Sequence, residues 1–183
     1  MTQIYSTQNE LLLNNLLAFY KGNDNMDKML NIINGESRIS LRIIDWFATN
    51  YAKKYYTVYQ LQGTENRFKV YNDYKLKLKA YSKRRFDPFC RWDRITVPYN
   101  ENSHIQTTIG QLNFFKWALE NNVVDYIEQN YANIEKDMNN RNSTSKNKAL
   151  DNKNRTRKKR EELSVSATKS IKKEKVEIVV KFD

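Results

Sequence analysis

The chain has 183 residues, which suits one domain with a tail, and it carries a formal net charge of +11. Hydrophobic residues make up 39%, below the usual globular share, while aromatic residues reach 13%. The single cysteine excludes an internal disulfide, and no apolar run approaches the roughly 18 residues that a membrane-spanning helix needs. We therefore expect a domain from a reducing compartment without a transmembrane segment.

Three helices are predicted in the N-terminal part of the chain. Leucines and a phenylalanine recur at helical spacing in residues 8–20, and methionines and isoleucines do so in residues 25–33. Ser40 is a suitable N-cap for a third helix over residues 41–54, which has a stripe of apolar residues on one face.

A hairpin and a fourth helix are predicted next. Residues 55–61 alternate in polarity and are rich in tyrosine, so they predict a strand, and residues 68–71 could return as its partner. The stretch 73–83 fits either a strand or a helix. We favour the helix because Lys, Leu and Ala are good helix formers and Asp73 is a plausible N-cap.

A further strand and a well-marked helix follow. Residues 93–99 predict a strand in which Pro98 would lie at an edge or an end, because proline has no N–H to donate. Residues 109–120 have an apolar helical stripe, and either Thr107 or Thr108 could cap that helix.

The last part of the chain is predicted to change from a domain into a basic tail. Residues 123–140 predict one long helix, residues 141–154 a polar linker, and residues 155–183 a basic segment. The tail from residue 141 onward holds 14 Lys and Arg against 6 Asp and Glu, a net charge of +8. The fold class is therefore predicted as α+β: one helix-rich domain over 1–140 with a small, mostly antiparallel sheet built from residues 55–61, 67–71, 93–99 and possible further residues 176–182.

The segment 69–94 is the most distinctive part of the sequence. It has nine Lys and Arg against three Asp, with six aromatic residues threaded between them. Cations neutralise phosphates, and flat aromatic or guanidinium faces stack on bases, so the segment could bind a polyanion. The alternative is that the rings are core and the lysines its solvated edge, and the two can coexist. The candidate binding residues here are Lys83, Arg84, Arg85, Arg91 and Arg94.

A second basic cluster lies in the tail, at Arg155, Arg157, Lys158, Lys159 and Arg160. It could bind phosphates or act as a nuclear-import signal. It could also be a solvated run, or a helix that pairs with the two glutamates that follow it.

Catalytic, metal and major-groove sites are weakly indicated. His104 and Cys90 are each the only residue of their type, so no zinc site rich in either can form, and no Walker-type loop is present. A helix-turn-helix DNA reader is disfavoured because its second helix, 123–140, is mostly acidic. We therefore expect a non-enzymatic protein with no cofactor and no metal.

Four blocks carry a family resemblance: RISLRIIDWFATNYAKK at 38–54, YKLKLKAYSKRRFDPFCRWDRI at 74–95, TTIGQLNFFKWALENNVVDYIEQN at 107–130 and RKKREELSVSATKSI at 157–171. They resemble small basic proteins encoded by nucleocytoplasmic large DNA viruses, including mimivirus and phycodnavirus relatives. The resemblance implies a viral origin and a place in the virion or the viral factory. It implies no catalytic residue.

Two main functions are consistent with these observations, besides a third, a regulatory adaptor for viral transcription machinery. The first is nucleic-acid binding through charge and stacking, largely independent of sequence, in the virion, the viral factory of the host cytoplasm or the nucleus. The second is a structural role, as a minor capsid or scaffold protein whose basic surface contacts viral structural proteins or a membrane. Oligomeric state is not indicated by the sequence.

Overall fold

The structure is a computed structural model that describes residues 7–21, 24–61, 63–100, 103–151 and 172–175. Helices dominate this part of the chain, and two small antiparallel sheets accompany them. The fold class is therefore α+β and helix-rich, as predicted. The helices are α1 (Gln8–Tyr20), α2 (Asn25–Asn34), α3 (Leu41–Trp46), a π-helical turn (Phe47–Tyr51), α4 (Ala52–Lys54), α5 (Val70–Phe86), α6 (Ile109–Glu120), α7 (Val123–Gln129) and α8 (Tyr131–Asp151). The strands are β1 (Val58–Gln60), β2 (Arg67–Lys69), β3 (Ile95–Asn100), β4 (Ser103–Thr107) and β5 (Lys172–Lys175).

Side-chain caps fix the starts of several helices. The Ser40 hydroxyl accepts a hydrogen bond from the Ile43 N–H at 3.3 Å, and the Thr108 hydroxyl accepts one from the Gln111 N–H at 3.2 Å. Each cap satisfies one of the free N–H groups of a first helical turn. Both caps confirm predictions, and Thr108 rather than Thr107 is the cap of α6.

The predicted helix 41–54 is continuous, but its middle is a π-helical turn. The Ala52 N–H donates to the carbonyl oxygen of Phe47, five residues back, instead of four. Such turns are rare and occur mostly as single insertions, often at functional sites. The turn buries Phe47 and Ala48, as the predicted apolar stripe requires.

Helix α5 confirms the preference for a helix over a strand, although its start and its end differ from expectation. It begins at Val70 after Lys69, so the prediction of Asp73 as N-cap is wrong. The Asp73 carboxylate instead accepts a hydrogen bond from the Trp117 indole N–H of α6 at 2.7 Å. Near its end the helix is interrupted at Ser82, whose φ of 64° and ψ of 168° are not helical.

The strands form two sheets, so the prediction of one sheet is wrong. β1 and β2 pair as the predicted hairpin, but β1 is confined to 58–60. β3, β4 and β5 form the second sheet in that order, and Pro98 lies on the edge strand β3 as expected. β4 was missed because its sequence, SHIQT, has little strand character, and it places His104 opposite Pro98 rather than in a loop. The predicted strand 176–182 lies outside the described residues.

The predicted long helix 123–140 is divided, and its second half continues further than expected. α7 ends before Asn130, and α8 begins at Tyr131 and runs to Asp151. Residues 141–151 are therefore helical, whereas a polar linker was predicted over 141–154. The division of the chain into a domain, a linker and a basic C-terminal segment stays a prediction.

An aromatic cluster joins α5 to α6. The Phe86 ring is fully buried, with its centroid 5.8 Å from those of Tyr74 and Phe114 and 5.9 Å from that of Trp117. Aromatic residues contribute large buried areas, and such ring pairs add to the stability of the core. The cluster therefore provides a rigid support for the C-terminal end of α5.

Candidate nucleic-acid interface

The interruption of α5 reorients the basic triplet Lys83-Arg84-Arg85. The backbone of Ser82 occupies a region that is essentially restricted to glycine, so this conformation costs free energy and persists only because its surroundings impose it. One helical turn follows and ends at Asp87, whose carboxylate accepts a hydrogen bond from the Phe89 N–H at 2.9 Å. The triplet is thus held on a short turn rather than on the axis of α5.

Helix α6 packs closely against the backbone of that turn. A Cβ atom on Gly110 would lie 2.8 Å from the carbonyl oxygen of Asp87 and 3.1 Å from that of Arg84, so only glycine permits this approach. The Asn113 amide also donates to the carbonyl oxygen of Arg85 at 2.9 Å. These contacts fix the backbone of the basic triplet and leave its side chains directed away from α6.

One cation of the triplet rests on an indole ring. The Arg84 guanidinium carbon lies 4.0 Å from the centroid of the Trp92 ring, a cation–π contact. Arg85 donates to the Gln8 side-chain oxygen at 3.3 Å, and Lys83 is exposed. Within the described ranges, no carboxylate forms an ion pair with any of these three cations.

A cavity of about 260 Å³ opens beside the interruption, lined by residues of α1 and α5 and by Trp92. The side-chain oxygen of Asn9 on α1 is buried there and has no hydrogen-bond partner. A buried polar atom without a partner is uncommon in a folded protein. We name this region the α5 break site. It consists of Lys83, which does not line the cavity, and of six residues that do: Asn9, Lys79, Ser82, Arg84, Arg85 and Trp92.

Only part of the predicted site is brought together. Arg84 and Arg85 line the cavity of the α5 break site, and Lys83 is exposed on the same turn without lining it. Arg91 and Arg94 are exposed on the following segment and do not line the cavity. The tail residues Arg155, Arg157, Lys158, Lys159 and Arg160 lie outside the described residues.

The aromatic residues of segment 69–94 are mostly core. Tyr74 and Phe86 are buried, and Tyr81 and Phe89 are partly buried and packed against the core. Trp92 is the ring that borders the cavity together with Tyr81. The alternative in which the aromatic rings belong to the core and the cations lie at its solvated edge therefore describes most of this segment.

One partly buried carboxyl, that of Asp45, lies near Asp87 at the end of α5. Burial and, to a lesser extent, the charge of nearby Asp87 raise the pKa of Asp45 to about 7. Because a neutral carboxyl adds no negative charge, protonation of Asp45 makes the surroundings of Asp87 more positive.

The residues that the structure describes contain neither a metal-binding cluster nor a membrane-spanning helix. No group of three His, Cys, Asp or Glu in these residues is arranged to hold a metal ion. None of their helices has the length and apolar character that crossing a membrane requires.

A second cavity, of about 590 Å³, was not indicated by the sequence. It lies between the π-helical turn with α4 and the first part of α8. We name it the α8 groove, and it is lined by Tyr51, Lys54, Tyr55, Asn133, Lys136, Asp137, Asn140 and Arg141. Sequence reasoning missed it because its two walls are about 80 residues apart in the chain, as shown by the Lys54–Asp137 separation of 83.

Comparison with known proteins identifies the family. Residues 2–182 match a family of unknown function, DUF7197, and the chain belongs to that family. It is also 46% identical over 127 residues to a protein of Acanthamoeba polyphaga mimivirus whose name is "Uncharacterized protein L507". That alignment covers 66% of this chain and 48% of the relative, so the chain spans about half the length of the curated relative that it matches. No solved structure matches. These matches confirm the resemblance to a family of large DNA viruses and support a viral origin.

Proposed function

We propose that this chain binds nucleic acid through the α5 break site, largely independent of sequence. The observation that carries the proposal is the arrangement of Lys83, Arg84 and Arg85 on one turn, free of carboxylate partners in the described residues. Cations that no carboxylate neutralises retain their capacity to replace counterions on phosphates.

The geometry favours contact with the sugar–phosphate backbone. Arginine forms forked hydrogen bonds with phosphate oxygens, and Arg84 also presents the outer face of a guanidinium that rests on Trp92. A cavity of about 260 Å³ is large enough for a phosphate group and too small for a base pair. Backbone contacts position a nucleic acid without reading its sequence.

Fluorescence anisotropy with labelled single-stranded and duplex DNA at two salt concentrations tests the proposal. We expect binding at low salt and a loss of affinity of orders of magnitude as salt rises. The double variant R84A/R85A removes two phosphate contacts and should reduce the slope of log affinity against log salt by about 1.4–1.8.

The matched control is K21A/K28A, which removes the same charge from two exposed lysines. Lys21 follows the last residue of α1, about 18 Å from Asn9 at 1.5 Å per helical residue. An equal loss of slope in both double variants would show that net charge alone drives binding and would overturn the assignment to the α5 break site. No binding at low salt would overturn the function.

The viral context is tested by fractionating purified particles. We expect the protein to remain with the genome when the shell is removed. Release with the shell would instead support the structural role, with viral structural proteins as partners.

A further inference from the structure

The α8 groove is built by residues that neighbour one another on two helical faces. Asn133, Asp137 and Arg141 follow one another at four-residue steps along α8, and therefore share a face. Tyr51, Lys54 and Tyr55 form the opposite wall, at the junction of the π-helical turn with α4 and the residue after it.

Asp137 holds the two walls together. Its side chain is 8% exposed, and its carboxylate accepts hydrogen bonds from Lys54 Nζ at 2.5 Å, Trp46 Nε1 at 3.2 Å and Tyr55 Oη at 3.3 Å. Burial alone would raise the pKa of Asp137, but the hydrogen bonds from Lys54 and Trp46 outweigh it, and the pKa lies below its ordinary value. The carboxylate is therefore ionised at neutral pH.

The lining of the α8 groove keeps an excess of positive charge. It has three cations, Lys54, Lys136 and Arg141, and one carboxylate, Asp137, which gives a net +2. Lys54 forms an ion pair with Asp137. The guanidinium carbon of Arg141 lies 5.6 Å from the centroid of the Trp46 ring, and Arg141 donates a hydrogen bond to the Asn50 amide oxygen at 3.4 Å. A groove with this charge and partly enclosed walls favours an anionic ligand.

The same groove presents aromatic surface. The Tyr51 and Tyr55 ring centroids are 4.4 Å apart with planes tilted by 43°, and Tyr55 is 53% exposed. Lys54 Nζ also lies 4.7 Å from the centroid of the Tyr55 ring, a cation–π contact. Because Tyr51, Lys54 and Asp137 hold this ring, a base can stack on its exposed part at low cost in side-chain entropy.

We propose that the α8 groove binds a nucleotide of single-stranded nucleic acid, with the base on Tyr55 and the phosphate at Lys136 and Arg141. Stacking needs an unpaired base face, whereas the bases of a duplex are already stacked, so the groove selects single strands. The inference rests on the proposed function and extends it, because it adds a second contact that duplex DNA cannot use.

Three single-residue variants of the whole chain test the stacking contact. Tyr55→Ala removes the ring and should weaken binding of an oligothymidylate by at least about fivefold. Tyr55→Phe keeps the ring and loses only the hydroxyl, so it should bind as the unchanged protein does. Tyr56→Ala is the matched control, because Tyr56 is a neighbouring tyrosine, 65% exposed, that does not line the groove.

Duplex DNA serves as the second ligand in the same titrations. Its affinity should not change in Tyr55→Ala, whereas R84A/R85A should weaken both ligands. Equal losses for Tyr55→Ala and Tyr55→Phe would show that the hydroxyl acts through Asp137 and would overturn stacking. An unchanged single-strand affinity in Tyr55→Ala, with R84A/R85A still defective, would overturn the inference and leave the proposed function intact.

Photocrosslinking of the unchanged protein gives an answer even where a variant does not fold. An oligothymidylate that carries 5-iodouracil crosslinks to an aromatic ring stacked on it, and the modified peptide is identified by mass spectrometry. We expect the crosslink at Tyr55. A crosslink only at Trp92 would place the base at the α5 break site and overturn the inference.

Discussion

The two basic surfaces of this protein rest on different kinds of support. At the α5 break site, the cations project from a turn that is held by backbone contacts and by the buried ring of Phe86. At the α8 groove, they surround the polar network of Asp137. Buried aromatic rings fix the backbone of the α5 turn without using any of its cations. The polar network of the α8 groove instead uses the carboxylate of Asp137 to position the side chains around it.

The largest loss of stability is expected when the Phe86 ring, which supports the α5 turn, is removed. Phe86→Ala leaves a cavity among Tyr74, Phe114 and Trp117 and should lower the free energy of unfolding by about 3–5 kcal/mol. Phe89→Ala is the control, because Phe89 is only partly buried and should cost much less. Urea denaturation measures both, and equal losses would show that the cluster does not support the turn.

Gly110→Ala tests the backbone contact directly. The added methyl group meets the carbonyl oxygens of Asp87 and Arg84, which cannot move independently, so we expect a loss of about 1–3 kcal/mol. Alanine is otherwise the better helix former, and a gain in stability would therefore show that the turn is not held by this approach. Thermal unfolding monitored by circular dichroism decides between these outcomes.

Asp45 lies next in the chain to Trp46 of the polar network and close to Asp87 of the α5 turn, so its titration concerns both regions. Its pKa in the folded protein, about 7, exceeds the ordinary 3.8, so the folded state binds the proton more tightly. This contribution to stability is complete below 3.8 and is lost as pH rises through about 7.

Asp45→Asn should remove that dependence on pH. We expect the variant to be more stable than the unchanged protein at pH 8, by on the order of 1–2 kcal/mol, and close to it at pH 5. Urea denaturation at both pH values measures the difference. Parallel pH profiles for the two proteins would contradict the raised pKa.

The smallest effect on stability is expected at the polar network. Asp137→Ala removes the acceptor for Trp46 and Tyr55 and should lower the free energy of unfolding by about 1 kcal/mol. It also releases Lys54 and Tyr55, which Asp137 holds in the opposite wall of the α8 groove, so affinity for single-stranded DNA should fall together with stability. An affinity that rises or stays equal would show that Asp137 does not position the ligand-binding walls.

The sequence predicted the elements whose signals are local. The bounds of α1 match the prediction of 8–20, and Ser40 and Thr108 cap helices as their side-chain chemistry indicates. Prediction from the sequence failed where the hydrogen-bond partner of a side chain comes from a distant part of the chain. Asp73 has the chemistry of an N-cap, but Trp117 of α6 uses its carboxylate instead.

The candidate sites show the same division. The triplet 83–85 was predicted because its cations are adjacent in the chain, although its orientation depends on a backbone angle at Ser82 that no residue type there indicates. The α8 groove was not predicted, because its two walls lie about 80 residues apart in the chain and the predicted helix 123–140 has four acidic residues against one lysine. Asp137 is one of those four, and only the fold shows that Lys54 neutralises it.

The π-helical turn at Phe47–Tyr51 sets the rotation about the helix axis of the residues that follow it in α4. Relative to a regular α-helix it contains one residue too many, and each residue turns a helix by roughly 100°. Deleting a single residue there would restore regular pitch and rotate Lys54 and Tyr55 away from α8, although every side chain of the groove would still be present. In an alignment of relatives, a one-residue gap at this place would therefore mark a protein that has lost the groove while keeping its composition.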